Sequence, residues 1–382
     1  MSNIRIPLAK PVFEADDFAA IQTPLQTGWV VQGPRVAAFE AAFAEYVGAP
    51  RAAACSSATT GLHLALAALG VGPGDEVIVP AFTWVATANA VIYCGATPVL
   101  ADIDLKTFNF SAEAVQAAVT PRTRAVIPVH LFGLPAELAA LPAGLAVVED
   151  AACGLDARIG AQHVGTFGDF GVFSFHPRKA VTTGEGGMVL AKSAEHDATV
   201  RSLRSHGLVA GTVRAPWAMG DAPHVGFNHR MTDFQGALGV TQMAKAKRLH
   251  TARAARAARY CEALGDLAWL GLPSEPVDGV HGWQAFVALY QPERPSMATV
   301  DRLHAGRNAL MLRLAERGIE TRPGTHAVHV LDFYRKTFGY GPGSCPNAWI
   351  ADQASFALPL FPTMTDAEQD EVIEAVRGWD PR

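Results

Sequence analysis

A single lysine stands between two strand-like runs of this chain. Lys179 lies in Phe173-Ser174-Phe175-His176-Pro177-Arg178-Lys179-Ala180-Val181-Thr182-Thr183-Gly184-Glu185-Gly186-Gly187. An apolar run precedes it, and a glycine-rich turn leads into the next. That placement puts an amine at the edge of a sheet rather than on a solvated helix face. Upstream, Glu149-Asp150 ends another apolar run. A sheet-edge amine can hold an aldehyde as a Schiff base, and a strand-end carboxylate can keep a pyridine nitrogen protonated so that the ring draws electrons. Those are the two demands of pyridoxal phosphate chemistry.

Other residues add to this pair, and each also has a plain structural reading. Cys55-Ser56-Ser57-Ala58-Thr59-Thr60-Gly61 joins a strand to a helix. Small residues there let backbone N–H groups and the helix dipole meet an anion, although an ordinary Ser/Thr cap looks the same. The segment lacks the Gly-Lys-Ser/Thr ending of a nucleotide-binding loop. Ser174 and Asn228 can supply further donors to the same anion. Trp84 opens the helix after a strand, where a flat ring can stack on an aromatic cofactor or simply fill a core. Asp150 taken alone could cap the next helix, and Cys153 reads as a small buried residue. His176 either faces the pocket or only orders the loop entering Lys179. His326 and His329 are three apart with no third ligand at metal-site spacing, so they read as pocket or packing residues and no metal is expected.

The elements that must position these groups follow an alternating pattern. Val36 to Tyr46, Ala58 to Leu69 and Thr83 to Cys94 carry helical periodicity. Arg51 to Cys55, Glu76 to Phe82, Thr97 to Asp104, Thr123 to Leu131, Gly144 to Ala152, Phe170 to Phe175 and Gly187 to Ala191 read as strands. Strands alternating with helices imply an α/β fold, with a largely parallel sheet covered on both faces. Such sheets bind ligands beyond the carboxyl ends of their strands, where Ser57 to Thr59, Trp84, Asp150 and Ser174 all fall, with Lys179 following. A long alanine-rich helix runs from about Met231 to Leu264, a helix spans Val300 to Arg317, and Thr365-Asp366-Ala367-Glu368 is a capping box for a last helix stopped by Gly378. The domain change is placed near residue 240, within the long helix. A large domain then covers 1–240 and a smaller α/β domain 241–382, and the N-terminal segment is free to pack on the smaller one.

Bulk properties narrow the function classes. The chain has 382 residues, is 49% hydrophobic and 18% charged, and carries a formal net charge of -5. That is a globular chain of two cores, and its charge argues against nucleic-acid binding. Five scattered cysteines contain no CxxC pair, so neither a disulfide framework nor a zinc site is expected. The N-terminus has no signal-like apolar segment, and no uncharged apolar run approaches the ~18 residues of a membrane span. A cytoplasmic setting is the default expectation.

With these residues in view the chain resembles the DegT/DnrJ/StrS sugar aminotransferases, within the aspartate-aminotransferase fold (fold type I) of pyridoxal phosphate enzymes. The likeness spans Thr27-Gly28-Trp29 with Gly33-Pro34, Ser57-Ala58-Thr59 with Leu62 to Leu66, Gly72 to Pro80, Glu149-Asp150-Ala151-Ala152, Ser174 to Lys179, Thr183 to Gly187 and Gly226-Phe227-Asn228-His229-Arg230-Met231. The resemblance implies that Lys179 holds the cofactor, Asp150 meets the pyridine nitrogen and Trp84 stacks on the ring. It implies that Ala58, Thr59 and Ser174, with Ser57 beside them, hold the phosphate. Asn228 would reach the phosphate of a neighbouring subunit, giving a homodimer with shared sites. Trp29, His176, Arg230, His326 and His329 are the candidate substrate contacts. Three departures stand out. Cys153 occupies a position usually Gln or His, which puts the contact to the cofactor ring oxygen in doubt. His229 stands where Tyr is usual. The stretch from Pro135 to Val148 is short for the helix-strand unit usual there.

The implied reaction moves an amino group, with glutamate as donor, to a keto-sugar carried on a nucleoside diphosphate. The nearest alternative is a cyclitol aminotransferase with the same chemistry. The sugar-dehydratase branch replaces the lysine, which Lys179 argues against. A non-catalytic sensor of the cofactor or of a sugar nucleotide is the alternative from a different class, and no DNA-binding segment accompanies it here.

Overall fold

The structure, a computed structural model, describes residues 4–139, 141–209, 217 and 220–381. The chain opens with α1 (Ala15–Thr27), α2 (Pro34–Val47), β1 (Ala52–Cys55), α3 (Ala58–Ala68), β2 (Glu76–Pro80), β3 (Phe82–Thr83), α4 (Ala86–Tyr93) and β4 (Thr97–Ala101). There follow α5 (Ala112–Ala118), β5 (Thr123–Val126), β6 (Ala146–Asp150), β7 (Arg158–Ile159), β8 (Gln162–His163), β9 (Phe170–Ser174), β10 (Gly187–Ala191) and α6 (Ala194–Arg204). After α7 (Asp233–Leu264) come β11 (Leu270–Gly271), β12 (Gly279–Val280), β13 (Phe286–Tyr290), α8 (Val300–Glu316), β14 (His326–Ala327), α9 (Asp332–Phe338), α10 (Pro346–Ala354), β15 (Ser355–Leu358) and α11 (Asp366–Arg377).

Seven strands form one sheet in the order β1-β10-β9-β6-β5-β2-β4. All neighbours from β9 to β4 are parallel, and β10 alone runs against its two neighbours. Burial explains the near-continuous apolar sequences of these strands. Val77, Ile78 and Val79 of β2 and Met188 and Val189 of β10 have no exposed surface, as befits strands covered on both faces. The C-terminal elements build a second, antiparallel sheet, β11-β13-β15. The N-terminal segment lies on this part of the chain: Ile6 pairs with Ile319, and the Leu8 N–H donates to the Glu320 carboxylate at 2.9 Å. No helix among the described residues is long and apolar enough to cross a membrane.

Several expected boundaries shift. The strand expected over 76–82 breaks at Ala81, whose N–H turns to the Ala101 carbonyl at 2.7 Å. Phe82 and Thr83 pair with Ala327 and His326, so Thr83 does not start the expected helix, and α4 begins only at Ala86. The strands expected to reach Asp104 and Leu131 end at Ala101 and Val126. Among the described residues between Leu134 and Ala146 there is no helix, in line with the shortness read there. Helix α1 carries an apolar stripe, Phe18, Ile21 and Leu25, but does not bury it: Phe18 and Leu25 are each 62% exposed. Its buried residues are Asp17 and Pro24, and it is fixed to α7 by Lys245, whose ammonium meets Asp17 at 2.6 Å and Asp16 at 3.0 Å.

Candidate active site

Register across three strands brings the candidate anion-binding residues together. Cys55 of β1 sits opposite Gly187 of β10, and Gly187 sits opposite Ser174 of β9. Ser57 and Ser174, far apart in sequence, therefore flank one glycine. A Cβ on Gly187 would lie 2.5 Å from the Ser57 carbonyl, so only glycine lets β10 pass beneath the start of α3. Ser57 caps that helix: its hydroxyl accepts from Thr60 N–H at 3.2 Å while Thr60 Oγ1 accepts from Ser57 N–H at 3.1 Å. The plain reading of Ser57 as a cap is thus correct, and it leaves the first-turn N–H groups of Ala58 and Thr59 without intrahelical acceptors. They form a positive helix end suited to a phosphate.

The carboxyl end of β6 carries two acids with different tasks. Glu149 is fully buried and accepts the N–H groups of Gly165, Phe167 and Gly168 at 2.6, 2.8 and 2.7 Å, with His130 Nε2 at 2.9 Å. Burial alone would raise its pKa, but the His130 contact and these N–H bonds outweigh it and hold the carboxyl below the usual range. Asp150 is also buried. One of its oxygens takes the Thr87 hydroxyl at 2.8 Å and the other the Ala152 N–H at 3.1 Å. Burial pushes the Asp150 pKa up, against the Thr87 and Ala152 bonds and the Lys179 charge. Thr87, which the sequence reading missed, also donates its main-chain N–H to the Trp84 carbonyl at 3.1 Å and so ties the acid to the tryptophan. Trp84 is 55% exposed beyond the strand end, with the His326 ring tilted over its own at 5.2 Å.

Lys179 is held in a tight turn. Its N–H donates to the His176 carbonyl at 2.8 Å, and the His176 Nδ1 accepts from Arg178 N–H at 3.2 Å. His176 thus orders the loop, and burial lowers its pKa. The Lys179 ammonium donates to Cys153 Sγ at 3.1 Å. Lys179, Cys153, Ala152, Ser174 and Gln284 line one pocket. Gln284 had no signal in the sequence, since only the fold brings it here.

The remaining candidates scatter. Trp29 is exposed and folds over Gly33, its Nε1 donating to the Gln32 carbonyl at 3.3 Å. Arg230 donates to Ser205 Oγ at 3.2 Å. His329 is fully buried with its pKa lowered by that burial, which favours the packing reading. Asn228 is exposed, its backbone bridged to Ser205. His229 holds the cradle from behind: its carbonyl accepts from Ser56 N–H at 2.9 Å and its ring stacks on Phe227.

These groups fit pyridoxal phosphate. A buried carboxylate of raised pKa has hydroxyl and amide donors but, among the described residues, no cation bonded to it, which suits a pyridinium N–H. An amine stands in a pocket with a thiol, and a helix N-terminus with flanking serine suits a phosphate. The family model for DegT/DnrJ/EryC1/StrS aminotransferases matches residues 11–377. The chain is 31% identical to the aminotransferase TlmJ from Streptoalloteichus hindustanus, covering 97% of this chain and 98% of that one with a TM-score of 0.87. It is 32% identical to DesV from S. venezuelae, covering 98% of both chains with a TM-score of 0.86. The pyridoxal phosphate form of Spr1654 from Streptococcus pneumoniae, a putative sugar aminotransferase, is 26% identical over 97% of each chain with a TM-score of 0.88. The chain therefore belongs to the DegT/DnrJ/EryC1/StrS aminotransferase family, pyridoxal phosphate-dependent enzymes of amino-sugar biosynthesis.

Proposed function

We propose that this enzyme takes an amino group from glutamate and places it on the keto carbon of a sugar carried on a nucleoside diphosphate, in the cytoplasm and as a homodimer. The observation that carries the reading is the linked set Asp150, Thr87 and Trp84, with the Lys179 amine near enough for its charge to act on Asp150, beside the Ser57–Ser174 cradle. Bound pyridoxal phosphate supplies an aldehyde and a ring that draws electrons from an adjacent carbon.

The residues then divide the work. Ala58, Thr59 and Ser174 anchor the phosphate, with Ser57 fixing the helix that presents them. Trp84 offers its exposed face to the ring. Asp150, oriented by Thr87, keeps the pyridine nitrogen protonated. Lys179 Nζ holds the cofactor before the donor arrives and afterwards moves the proton at the substrate carbon. Cys153 touches that amine and gives only a weak hydrogen bond. His326, over Trp84, and His176, in the lysine loop, are assigned as contacts to the sugar. Asn228, exposed on its own chain, is assigned to the phosphate site of the second copy.

A panel decides the acceptor. Purified enzyme with glutamate is assayed against keto-sugar nucleotides, the corresponding free sugars and keto-cyclitols. Turnover of a nucleotide-linked sugar is expected. Turnover confined to cyclitols replaces the acceptor assignment. A cofactor spectrum unmoved by glutamate or by any other amino donor points to a sensor instead of an enzyme.

A further inference from the structure

Behind the lysine turn lies a buried guanidinium. Arg253, on α7, is 2% exposed, and burial lowers its pKa to about 10, with only the Asp156 charge opposing. Its hydrogen bonds run to main-chain carbonyls: one terminal nitrogen donates to Lys179 O at 3.1 Å, the other to Gln284 O at 3.0 Å. The Gln284 side chain turns back and donates to Arg178 O at 3.0 Å. Gln284 is itself fixed by its N–H to the Phe132 carbonyl at 3.0 Å. Two consecutive carbonyls of the lysine turn, 178 and 179, are thus gripped by two residues that are joined to each other.

A buried cation with no bonded carboxylate is a costly way to stabilise a fold, since a well-packed apolar side chain at such a site often does as well or better. The planar fork of arginine can serve two carbonyls at once, which a lysine ammonium on a flexible stem does less well. We infer that Arg253 and Gln284 are positioning residues for Lys179, fixing its main chain so that Nζ is aimed at the reacting carbon. This rests on the role proposed above for Lys179. Misplacing a reacting group by about 1 Å can cost on the order of 100-fold in rate, so a clamp on the lysine backbone acts directly on the chemical step.

The test uses Arg253→Met, Arg253→Lys and Gln284→Met in the full-length enzyme. Borohydride labelling of wild type comes first: cofactor fixed to a lysine other than Lys179 removes the premise, whatever the variants do. With Lys179 labelled, Arg253→Met is expected to fold, with a lowered melting temperature of the cofactor-free protein from the two carbonyls left without their donor. Its cofactor Kd in equilibrium dialysis should rise severalfold. Its single-turnover rate with glutamate should fall about tenfold or more, with the half-saturating glutamate concentration within about twofold. Arg253→Lys, which keeps one bond, should recover part of the rate, and Gln284→Met should show a smaller loss of the same kind. A folded Arg253→Met with wild-type cofactor Kd and single-turnover rate overturns the inference. Should Arg253→Met not fold, Gln284→Met decides in the same way: wild-type values there overturn it, and a weaker cofactor Kd with a slower single turnover supports it.

Discussion

The hydroxyl of Thr87 donates to the Asp150 carboxylate at 2.8 Å. The two residues come from different strand-helix units, and their meeting fixes one oxygen of a buried acid at the mouth of the sheet. The second oxygen is fixed by the Ala152 N–H. Asp150 is thereby held in one orientation by two donors.

That arrangement has a pH signature. Burial raises the folded pKa of Asp150, so in the cofactor-free protein the ionised form is the disfavoured one. Stability is therefore lost as pH rises from the ordinary carboxylate range, about 4, through the raised folded value. Asp150→Asn removes this titration. Cofactor-free Asp150→Asn should melt at or above wild type at neutral pH, with the advantage shrinking in acid. The same variant and Asp150→Ala should cripple turnover, because the ring nitrogen loses its partner. Near-normal kcat with bound cofactor would refute the assigned role.

Lys179 is expected to carry the cofactor. The purified enzyme should be yellow, and borohydride should fix the cofactor to the peptide containing Lys179. Lys179→Ala should abolish the fixed label while leaving the fold intact. A label elsewhere ends the assignment.

Glu149 should matter to stability and not to chemistry directly. Removing one partner of a buried charged set costs about 3–5 kcal/mol, and Glu149→Ala leaves three N–H groups and His130 without their acceptor. Because the folded pKa is held low, the carboxylate's contribution is present above the ordinary carboxylate pKa and fades as pH falls through the folded value. Urea melts at neutral and acid pH should show a gap between wild type and Glu149→Ala that narrows in acid. Equal stability at neutral pH would contradict this.

Much of this site was legible because its parts sit in short segments with fixed consequences. Ser174, Lys179 and Gly187 belong to one strand-turn-strand stretch, and Asp150 ends an apolar run, so strand alternation places them all at one sheet edge. Thr87, Arg253 and Gln284 were illegible because each reaches the site only through tertiary packing, from a helix or loop whose local pattern is ordinary. The contact between Cys153 and Lys179 had the same obstacle. Helix α1 is held down by ion pairs with Lys245, while its apolar residues Phe18 and Leu25 stay exposed.

Cys153 should be dispensable. Its sulfur accepts from the lysine amine at 3.1 Å, but sulfur is a weak partner, so Cys153→Ser and Cys153→Ala should change kcat/KM by about tenfold at most. A loss of several orders of magnitude in a folded variant would show that the thiol acts on the reacting atoms.

The shared site can be tested by mixing. Asn228 either serves the phosphate of a second copy or acts within its own chain, and exposure on one chain is compatible with both. Lys179→Ala and Asn228→Ala are made separately, and the experiment proceeds only if each is strongly impaired. In a mixed dimer with shared sites, one site combines the intact Lys179 of one chain with the intact Asn228 of the other, and the second site carries both defects. Co-expression with two different tags, followed by tandem purification, should restore about half of wild-type activity per mixed dimer if kcat reports intact sites. If Asn228 acts within its own chain, every site keeps one defect and mixing restores nothing. A purified mixed dimer without recovery therefore rules out the shared site, and recovery near half cannot arise from two sites that each remain broken.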